Sequence, residues 1–260
     1  MYIAELRFSS TASLDSDPVS HVVNSLLGVW RMNGQLCGRE WPIMIEDRTA
    51  WTVIFLPDQD ALERIHANKY VVQALTELAT AHLTSPIITI RGQDIEGALP
   101  CTCPRTSTYI LFTNYLSLES PLRCGMCFHP IPLYRIHATY QDEYTDILRW
   151  QSDYQACDTL QMNCETLERA ATHELAHSES SLAQRGRRIC QQITAATATP
   201  TYYRLYRYGA RSETQERKRR CPICNGAWLL PEPWHQFDFK CDQCHVVSNI
   251  AWDVRSSDEE

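Results

Sequence analysis

Several features that define large protein classes are missing from this sequence. No apolar stretch approaches the roughly 18 residues that a membrane span requires, and residues 1–7 lack the long apolar core of a signal peptide. A Gly-rich phosphate loop, a nucleophile elbow and a repeat of solenoid-like period are also absent. These absences predict a cytoplasmic protein without enzymatic activity or a membrane partner.

The composition describes a soluble globular chain with an acidic balance. Its 260 residues leave room for about two ordinary domains, and 44% hydrophobic with 21% charged residues excludes a wholly disordered chain. Lys and Arg total 24 against 31 Asp and Glu, so the formal net charge is -7. Dedicated DNA-binding proteins are more often basic. The balance therefore disfavours that class without excluding it.

Residues 1–95 predict an α+β unit. Strand and helix signals alternate in the order β-α-β-β-α-β, which is that of a ferredoxin-like, split βαβ domain. The predicted strands are 2–8, 43–45, 51–56 and 87–90, and the predicted helices start at Asp17-Pro18 and span 60–80. The second helix is expected to bury Leu62, Ile65, Val72, Leu75 and Leu78.

The remainder of the chain predicts three further segments. Residues 96–137 are rich in Cys, Pro, Thr and aromatics around one strand at 109–112, and we interpret them as a first four-cysteine zinc module. Residues 138–200 form a helical region that 178–181 interrupts, and 201–260 form a C-terminal zinc ribbon after a strand at 202–208. The predicted fold class is α+β throughout.

The most specific motif is a cysteine quartet in the C-terminal segment. The pairs Cys221-Cys224 and Cys241-Cys244 are separated by 16 residues, and two such pairs at this separation are typical of a zinc site. Four thiolates fill the tetrahedral shell of Zn²⁺ and leave no position for water, so the metal is expected to be structural. Asn225-Gly226 supplies a tight turn. A redox dithiol is the alternative.

A second quartet has less regular spacing. The pair Cys101 and Cys103 is followed, after 20 intervening residues, by the pair Cys124 and Cys127. Gly125 suits a turn in which backbone N–H groups face sulfur. We predict a second zinc ion here; the alternatives are buried hydrophobic cysteines or a looser site that includes His129. The remaining cysteines are expected in the core: Cys37, Cys157, Cys164 and Cys190.

Motifs spread along most of the chain carry a resemblance. They are Cys-Gly-Met-Cys-Phe at 124–128, Pro-Leu-Tyr at 132–134, Ala-Cys-Asp-Thr-Leu-Gln at 156–161, Pro-Thr-Tyr-Tyr at 200–203, Phe-Lys-Cys-Asp-Gln-Cys at 239–244 and Ser-Asn-Ile-Ala-Trp at 248–252. This set resembles a bacterial family of zinc-ribbon-containing proteins for which nucleic-acid binding has been suggested. The resemblance implies a zinc-ribbon fold without known enzymatic activity. It also implies an association with secretion-system toxin loci, where the protein would serve as an immunity protein beside a nuclease.

One motif points to a metalloprotease. His173-Glu174-Leu175-Ala176-His177 matches H-E-x-x-H, whose histidines would share one helix face. The polar residues 178–181 follow directly, and no third His completes the extended pattern. We therefore do not expect a protease.

Basic and aromatic residues concentrate in one stretch, residues 201–224. Arginines and Lys218 alternate there with four tyrosines, and such a strip can grip phosphates and stack bases. A solvated connector beside a Tyr-rich strand is the alternative. The acidic tail at 256–260 and neighbouring aspartates oppose phosphate and favour a basic protein partner.

The sequence therefore predicts a zinc protein that acts through a protein interface. Its expected form is an immunity-type inhibitor that occludes a secreted nuclease toxin, and a nucleic-acid-binding zinc ribbon is the alternative. Predicted contact residues are exposed aromatic, acidic and basic side chains, and the alternative for the three tryptophans is packing against the helical region. These are Trp228, Trp234, Asp238, Trp252, Arg217, Lys218, Arg219 and Arg220.

Overall fold

A computed structural model of the chain describes residues 1–10, 12–136 and 144–255, so the predicted acidic tail at 256–260 lies outside the described residues. The chain divides into two compact units. Unit 1 comprises residues 1–102, 118–120 and 129–145, and unit 2 comprises 103–117, 121–128 and 146–260. Within the described residues no helix combines the length and apolar character needed to cross a membrane.

Unit 1 has the ferredoxin-like topology that the sequence predicts. Its elements follow the order β-α-β-β-α-β, and the antiparallel sheet has the strand order β2-β3-β1-β4, so each helix crosses over to a non-adjacent strand. The elements are β1 Tyr2–Ser9, α1 Ser16–Met32, β2 Met44–Glu46, β3 Thr49–Leu56, α2 Lys69–Glu77 and β4 Ile87–Gln93.

The core of unit 1 joins one face of the sheet to the two helices. In α1 the buried positions Val19, Val23 and Leu27 share one helical face, and Asp15 caps the helix by accepting a hydrogen bond from the Asp17 N–H. On β1 the side chains of Ala4, Leu6 and Phe8 are fully buried, and these alternate residues share one face of the sheet. The predicted α+β class is therefore confirmed.

The second helix is shorter than the sequence pattern indicates. Asn68 caps α2 by accepting from the N–H groups of Tyr70 and Val71, so the helix begins at Lys69, and 3-10 turns precede and follow it. The prediction of a continuous helix from residue 60 is wrong because Asn68 starts a new helix. Ile65, in the 3-10 turn before Asn68, is 83% exposed, and Val72, on the outer face of α2, is 42% exposed, so the expected burial of both is wrong.

Unit 2 is built on a six-stranded sheet. Its order is β6-β5-β7-β10-β9-β8, with β7 parallel to both of its neighbours. The elements are β5 Tyr109–Leu111, β6 Leu122–Cys124, α3 Thr145–Asn163, α4 Glu168–Ala176, α5 Ser181–Thr197, β7 Thr201–Leu205, α6 Glu213–Glu216, β8 Leu229–Trp234, β9 Phe237–Cys241, β10 Val246–Ser248 and α7 Trp252–Arg255. The predicted helix break at residues 178–181 corresponds to residues 177–180 between α4 and α5, and Ser181 is already the first residue of α5.

β7 is the central element of this sheet. All five of its residues are buried, and the fully buried ring of Tyr203 packs edge-on against Trp150 of α3 at a centroid distance of 5.9 Å. Strands from the predicted first zinc module and from the predicted ribbon therefore share one sheet through β7. Cys190 is buried as expected, but Cys164 is exposed because it follows the end of α3.

Candidate metal centres

The two predicted cysteine quartets each converge on a point. Within each quartet the four sulfur atoms lie within 4.8 Å of one another, and tetrahedral thiolates bound to Zn²⁺ at ~2.3 Å stand about 3.8 Å apart. Both clusters therefore fit a tetrahedral metal ion, and His129 belongs to neither. The first cluster is Cys101, Cys103, Cys124 and Cys127, and the second is Cys221, Cys224, Cys241 and Cys244.

Strand ends hold one cysteine of each cluster. Cys124 is the last residue of β6 and Cys241 is the last residue of β9, so the sheet of unit 2 fixes both. Both of these side chains are buried, whereas the cysteines that follow them in the turn, Cys127 and Cys244, are half-buried. Burial limits the access of water and competing ligands to the sulfur atoms.

The same backbone conformation closes three of the cysteine turns. Phe128, Asn225 and His245 directly follow a cysteine ligand, and their φ angles are +63°, +57° and +50°. The Phe128 N–H donates to the Cys124 carbonyl at 2.8 Å, and the equivalent bond joins Asn225 to Cys221 at 2.9 Å. These bonds turn the chain back, so that paired sulfur atoms face one point. Asparagine and histidine are enriched in this left-handed region, whereas phenylalanine rarely adopts it.

Backbone donors also reach the sulfur atoms. The Met126 N–H lies 3.4 Å from the Cys124 Sγ, and the backbone of Gly226 lowers the pKa of Cys224 to about 7. Burial raises the pKa of Cys241 and Cys244. A bound cation would favour the thiolate forms of these cysteines, because it compensates their negative charge.

A hydrogen-bonded clamp joins the first cluster to the β8–β9 hairpin. The Gly125 carbonyl, between Cys124 and Cys127, accepts from the Trp234 Nε1–H at 2.8 Å and lies 2.9 Å from the His235 Nε2. A carbonyl only accepts, so this His235 contact is a hydrogen bond when Nε2 carries the proton. The His235 ring also stacks on Phe128 at 5.1 Å. We call this set the Gly125 clamp; no spacing rule in the sequence predicts it.

Gly125 is needed for a reason other than the predicted one. Its φ angle is not positive, so the turn itself does not demand glycine. A Cβ at this position would lie 1.9 Å from the Thr108 Oγ1 and 2.8 Å from the Trp234 Cζ2. Close packing of the clamp, rather than backbone conformation, therefore excludes a larger residue.

Two of the predicted contact residues are parts of the core. Trp228 is 3% exposed, packs on Phe239 at 5.0 Å and donates from Nε1 to the Arg219 carbonyl. Asp238 is 5% exposed and accepts from the Ile250 N–H at 2.7 Å. The prediction that these side chains are exposed is wrong, because the small ribbon uses both for its own packing.

The other predicted aromatic contacts differ in exposure. Trp234 is half-buried within the Gly125 clamp, and Trp252 at the start of α7 is 43% exposed. Tyr208, one of the four tyrosines of the basic stretch, is 45% exposed, and its carbonyl accepts from the Asp253 N–H. Tyr208 and the start of α7 therefore lie together on the surface of unit 2.

The basic stretch is largely engaged within unit 2. Glu216 is 3% exposed, accepts a hydrogen bond from Arg207 at 3.1 Å and forms an ion pair with Arg219 at an N–O distance of 2.8 Å. The Arg219 guanidinium also lies 4.3 Å from the Phe239 ring, and burial lowers the pKa of Arg219 to about 10, so it stays charged at neutral pH. Arg217 pairs with Glu213.

Three of the four tyrosines of the same stretch are also internal, and Tyr208 is the exposed one. Tyr202, Tyr203 and Tyr206 are at most 7% exposed, and Tyr202 donates to Asp242 at 2.7 Å. Arg204 is 7% exposed and donates to the Thr113 carbonyl at 3.2 Å. Lys218 and Arg220 are exposed. The alternating strip of arginines and tyrosines therefore does not form one accessible surface.

The glutamate of the H-E-x-x-H motif has a structural role. Glu174 Oε2 accepts from the Leu182 N–H at 2.9 Å and from the Ser181 hydroxyl at 3.0 Å, so it caps the start of α5. His173 and His177 stack with ring centroids 4.8 Å apart. Within the described ranges, these three residues are in neither metal-ligand cluster.

Comparisons with known proteins match most of the chain to families without an assigned activity. Three domains of unknown function cover residues 1–92 (DUF8589), 103–206 (DUF2310) and 210–254 (DUF8594). An uncharacterized Haemophilus influenzae protein is 35% identical over 97% of this chain and 99% of its own length. Another from the same organism is 41% identical over 62% of this chain and 80% of its own length.

A solved structure also matches part of the chain. A Deinococcus radiodurans protein assigned as an antibiotic biosynthesis monooxygenase is 16% identical, with a TM-score of 0.26. The match covers 36% of this chain and 93% of that one.

Proposed function

The chain belongs to the family of its full-length Haemophilus influenzae relative, and we propose that it is a non-enzymatic, zinc-stabilised protein that acts through a protein interface. Its specific role in this proposal is that of an immunity-type inhibitor, which binds and occludes a bacterial nuclease toxin. The resemblance of its cysteine and β7 motifs to immunity-type zinc-ribbon proteins supports that role.

Both cysteine clusters support a structural rather than a catalytic metal. Four sulfur ligands complete a tetrahedral Zn²⁺ shell, and a catalytic zinc needs an open position for water. In each cluster two of the four cysteines are buried. A zinc ion bound at either cluster would cross-link the loops that carry its four cysteines.

Most side chains of the basic stretch make contacts within unit 2, and this observation favours a protein partner over nucleic acid. Nucleic-acid grooves combine exposed cations with exposed aromatic rings. Here Glu216 holds Arg207 and Arg219, and the Tyr202 and Tyr203 rings are buried. Most of the residues that would grip phosphates and stack bases are therefore engaged within the fold, and Arg211, Lys218, Arg220 and Tyr208 are the exposed ones.

The exposed charges of unit 2 include carboxylates that suit a basic partner. The side chains of Asp153, Glu179 and Asp242 are 59%, 63% and 75% exposed, and each also pairs with a less exposed cation, which is Arg185, Arg187 and Lys240 in turn. Exposed acids raise the association rate with a basic nuclease, because long-range attraction steers the encounter. Trp252 and Tyr208 add large, partly exposed rings of the kind that dominate interface energies.

A binding experiment tests the proposal. The purified chain is titrated with labelled duplex DNA, single-stranded DNA and RNA at several salt concentrations, and in parallel with a purified nuclease encoded beside its gene. We expect inhibition of the nuclease, weakened at least tenfold by Trp252→Ala, and little binding to nucleic acid.

A double variant with reversed charge separates the protein-partner interpretation from the nucleic-acid interpretation. Lys218→Glu with Arg220→Glu reverses exposed charge, whereas Arg219 is left intact because its guanidinium packs on Trp228 and Phe239. Tight, salt-sensitive nucleic-acid binding that this double variant abolishes would establish the nucleic-acid interpretation and refute the inhibitor.

A further inference from the structure

Side-chain rings in unit 2 form a continuous chain between the turns of the two cysteine clusters. His245 directly follows Cys244, and Phe128 directly follows Cys127. From one of these rings to the other, successive centroids are 5.3, 5.5, 5.7 and 5.1 Å apart, within the roughly 4.5–7 Å range of aromatic contact. We call this set the ring chain, and in order it consists of His245, Tyr202, Trp234, His235 and Phe128.

A charged pair fixes the ring chain to the second cluster. The Lys240 ammonium lies 4.8 Å from the centroid of the Tyr202 ring and 4.9 Å from that of the Trp234 ring, which is a cation–π arrangement. It also pairs at 2.8 Å with Asp242, in the turn of the second cluster. The same Asp242 accepts from the Tyr202 hydroxyl at 2.7 Å. The Gly125 clamp fixes the other end of the ring chain to the first cluster.

The β8–β9 hairpin belongs to the surroundings of both clusters. β9 ends at Cys241, a ligand of the second cluster, and the turn at the other end of the hairpin carries Trp234 and His235 of the Gly125 clamp. The strand register shifts within the hairpin, so its ladder is irregular. An ion bound in either cluster therefore fixes the same hairpin, and the other cluster then binds its ion with less loss of conformational freedom.

We infer that the two clusters take up zinc cooperatively through this hairpin, so that an ion in either cluster raises the affinity of the other. The factor is the same in both directions, because a coupling free energy between two binding sites is reciprocal. The inference rests on zinc at both clusters, as the proposed function does, and it is independent of the partner.

Zinc release from the full chain tests the coupling. The zinc-loaded protein is mixed with an excess of chromogenic chelator, and the absorbance change is divided into phases of one ion each. His235→Gly removes a ring and a hydrogen bond beside the first cluster, and glycine suits the φ angle of +58° at this position. We expect both ions to leave at least about fivefold faster, although the His235 ring stacks on Phe128 beside the first cluster. Acceleration of one ion, with the other at its wild-type rate, would overturn the inference.

Two further variants complete the kinetic test. Tyr202→Phe keeps the ring but removes the hydroxyl that binds Asp242 in the second turn, and it should also speed the release of both ions. Gly186→Ala is the matched control, because the nearest atoms to its new Cβ belong to Tyr203 and Trp150, outside the ring chain. It should lower stability and leave both release rates unchanged. If it speeds both ions as much as His235→Gly does, general destabilisation explains the release and the inference is wrong.

Zinc affinity at equilibrium provides an independent measurement. Cys224→Ser with Cys244→Ser disables the second cluster, and competition with the chelator then gives the dissociation constant of the first. We expect this constant to rise at least about fivefold, and to change much less when the two serines are introduced into His235→Gly. A folded serine variant with the wild-type constant would overturn the inference alone, whereas a wild type that binds no zinc would overturn both the inference and the zinc-binding part of the proposed function. If the serine variant does not fold, the release rates decide.

Discussion

The close packing around Gly125 predicts that adding a single methyl group, in Gly125→Ala, destabilises unit 2. In Gly125→Ala the new Cβ would stand 1.9 Å from the Thr108 Oγ1, 2.8 Å from the Trp234 Cζ2 and 2.9 Å from the Thr108 carbonyl oxygen. The Gly125 N–H already donates to that same carbonyl at 2.8 Å. The backbone contact therefore cannot relax by a side-chain rotation alone, and either the cysteine turn or the β8–β9 hairpin must move.

The expected loss of stability follows from the contacts that must yield. Overpacking by one methyl group costs about 1–3 kcal/mol. Displacing Trp234 and His235 also weakens two hydrogen bonds to the Gly125 carbonyl, each contributing about 1 kcal/mol. We expect Gly125→Ala to lower the free energy of unfolding of unit 2 by about 2–4 kcal/mol. The cysteine turn holds Cys124 and Cys127, so the variant should also release metal from the first cluster more readily.

Urea unfolding followed by tryptophan fluorescence measures the loss of stability, and a chromogenic zinc chelator follows metal release over time. Gly28→Ala is the matched control, because a Cβ at Gly28 in α1 meets no atom within 4 Å. It should leave stability equal or raise it by up to about 1 kcal/mol. If Gly125→Ala unfolds at the same urea concentration as wild type and releases zinc at the same rate, the clamp does not support the first cluster.

Three further outcomes can be measured. Gly186→Ala would place a Cβ 2.1 Å from the Tyr203 Cε2, so it should lower the free energy of unfolding of unit 2 by about 1–3 kcal/mol, measured in urea. Zinc release should stay at the wild-type rate. Faster zinc release would contradict the interpretation that Gly186 serves only core packing. Arg7 first, and then Arg91, lower the pKa of Glu5, so its stabilising effect is present above the unfolded pKa of about 4.3 and is lost as pH falls through the lower folded pKa. Glu5→Gln should therefore flatten the decline of the urea midpoint below about pH 5, and an unchanged decline would assign acid sensitivity to other groups. Purified chain should contain two zinc ions, and chelation should lower its melting temperature; one ion would exclude one of the clusters as a zinc site, and none would exclude both.

Most helices and strands of unit 1 can be predicted from its sequence, because the spacing of nearby apolar residues determines them. The alternation in β1 and the apolar spacing in α1 each correspond to one buried face. The start of α2 is decided instead by one capping side chain, Asn68, inside a stretch that otherwise has helical spacing. A periodicity argument cannot see such a cap when apolar residues continue on both sides of it.

The cysteine spacing predicts the ligands, but the supports of the clusters depend on long-range contacts. Cys221 and Cys224 can be paired with Cys241 and Cys244 from sequence because two-residue spacers are common to such turns. Gly125 and Trp234 are 109 residues apart in the chain, and their hydrogen bond exists only because β5, β7 and β10 join in one sheet. Pairing of distant strands leaves no local signal that composition could reveal.

The charge of the basic stretch illustrates the same limit and bounds the alternative function. Counting charges along the chain treats each arginine as exposed, yet the spacing of Glu216 and Arg219, three residues apart, is that of an internal ion pair. After the engaged arginines are set aside, the exposed cations of this stretch that remain are Arg211, Lys218 and Arg220. Each phosphate contact contributes about 0.9 to the dependence of log affinity on log salt. Three contacts would give a slope of roughly 3, far below that of proteins with about six to ten contacts, so binding of nucleic acid by this stretch would be weak at physiological salt.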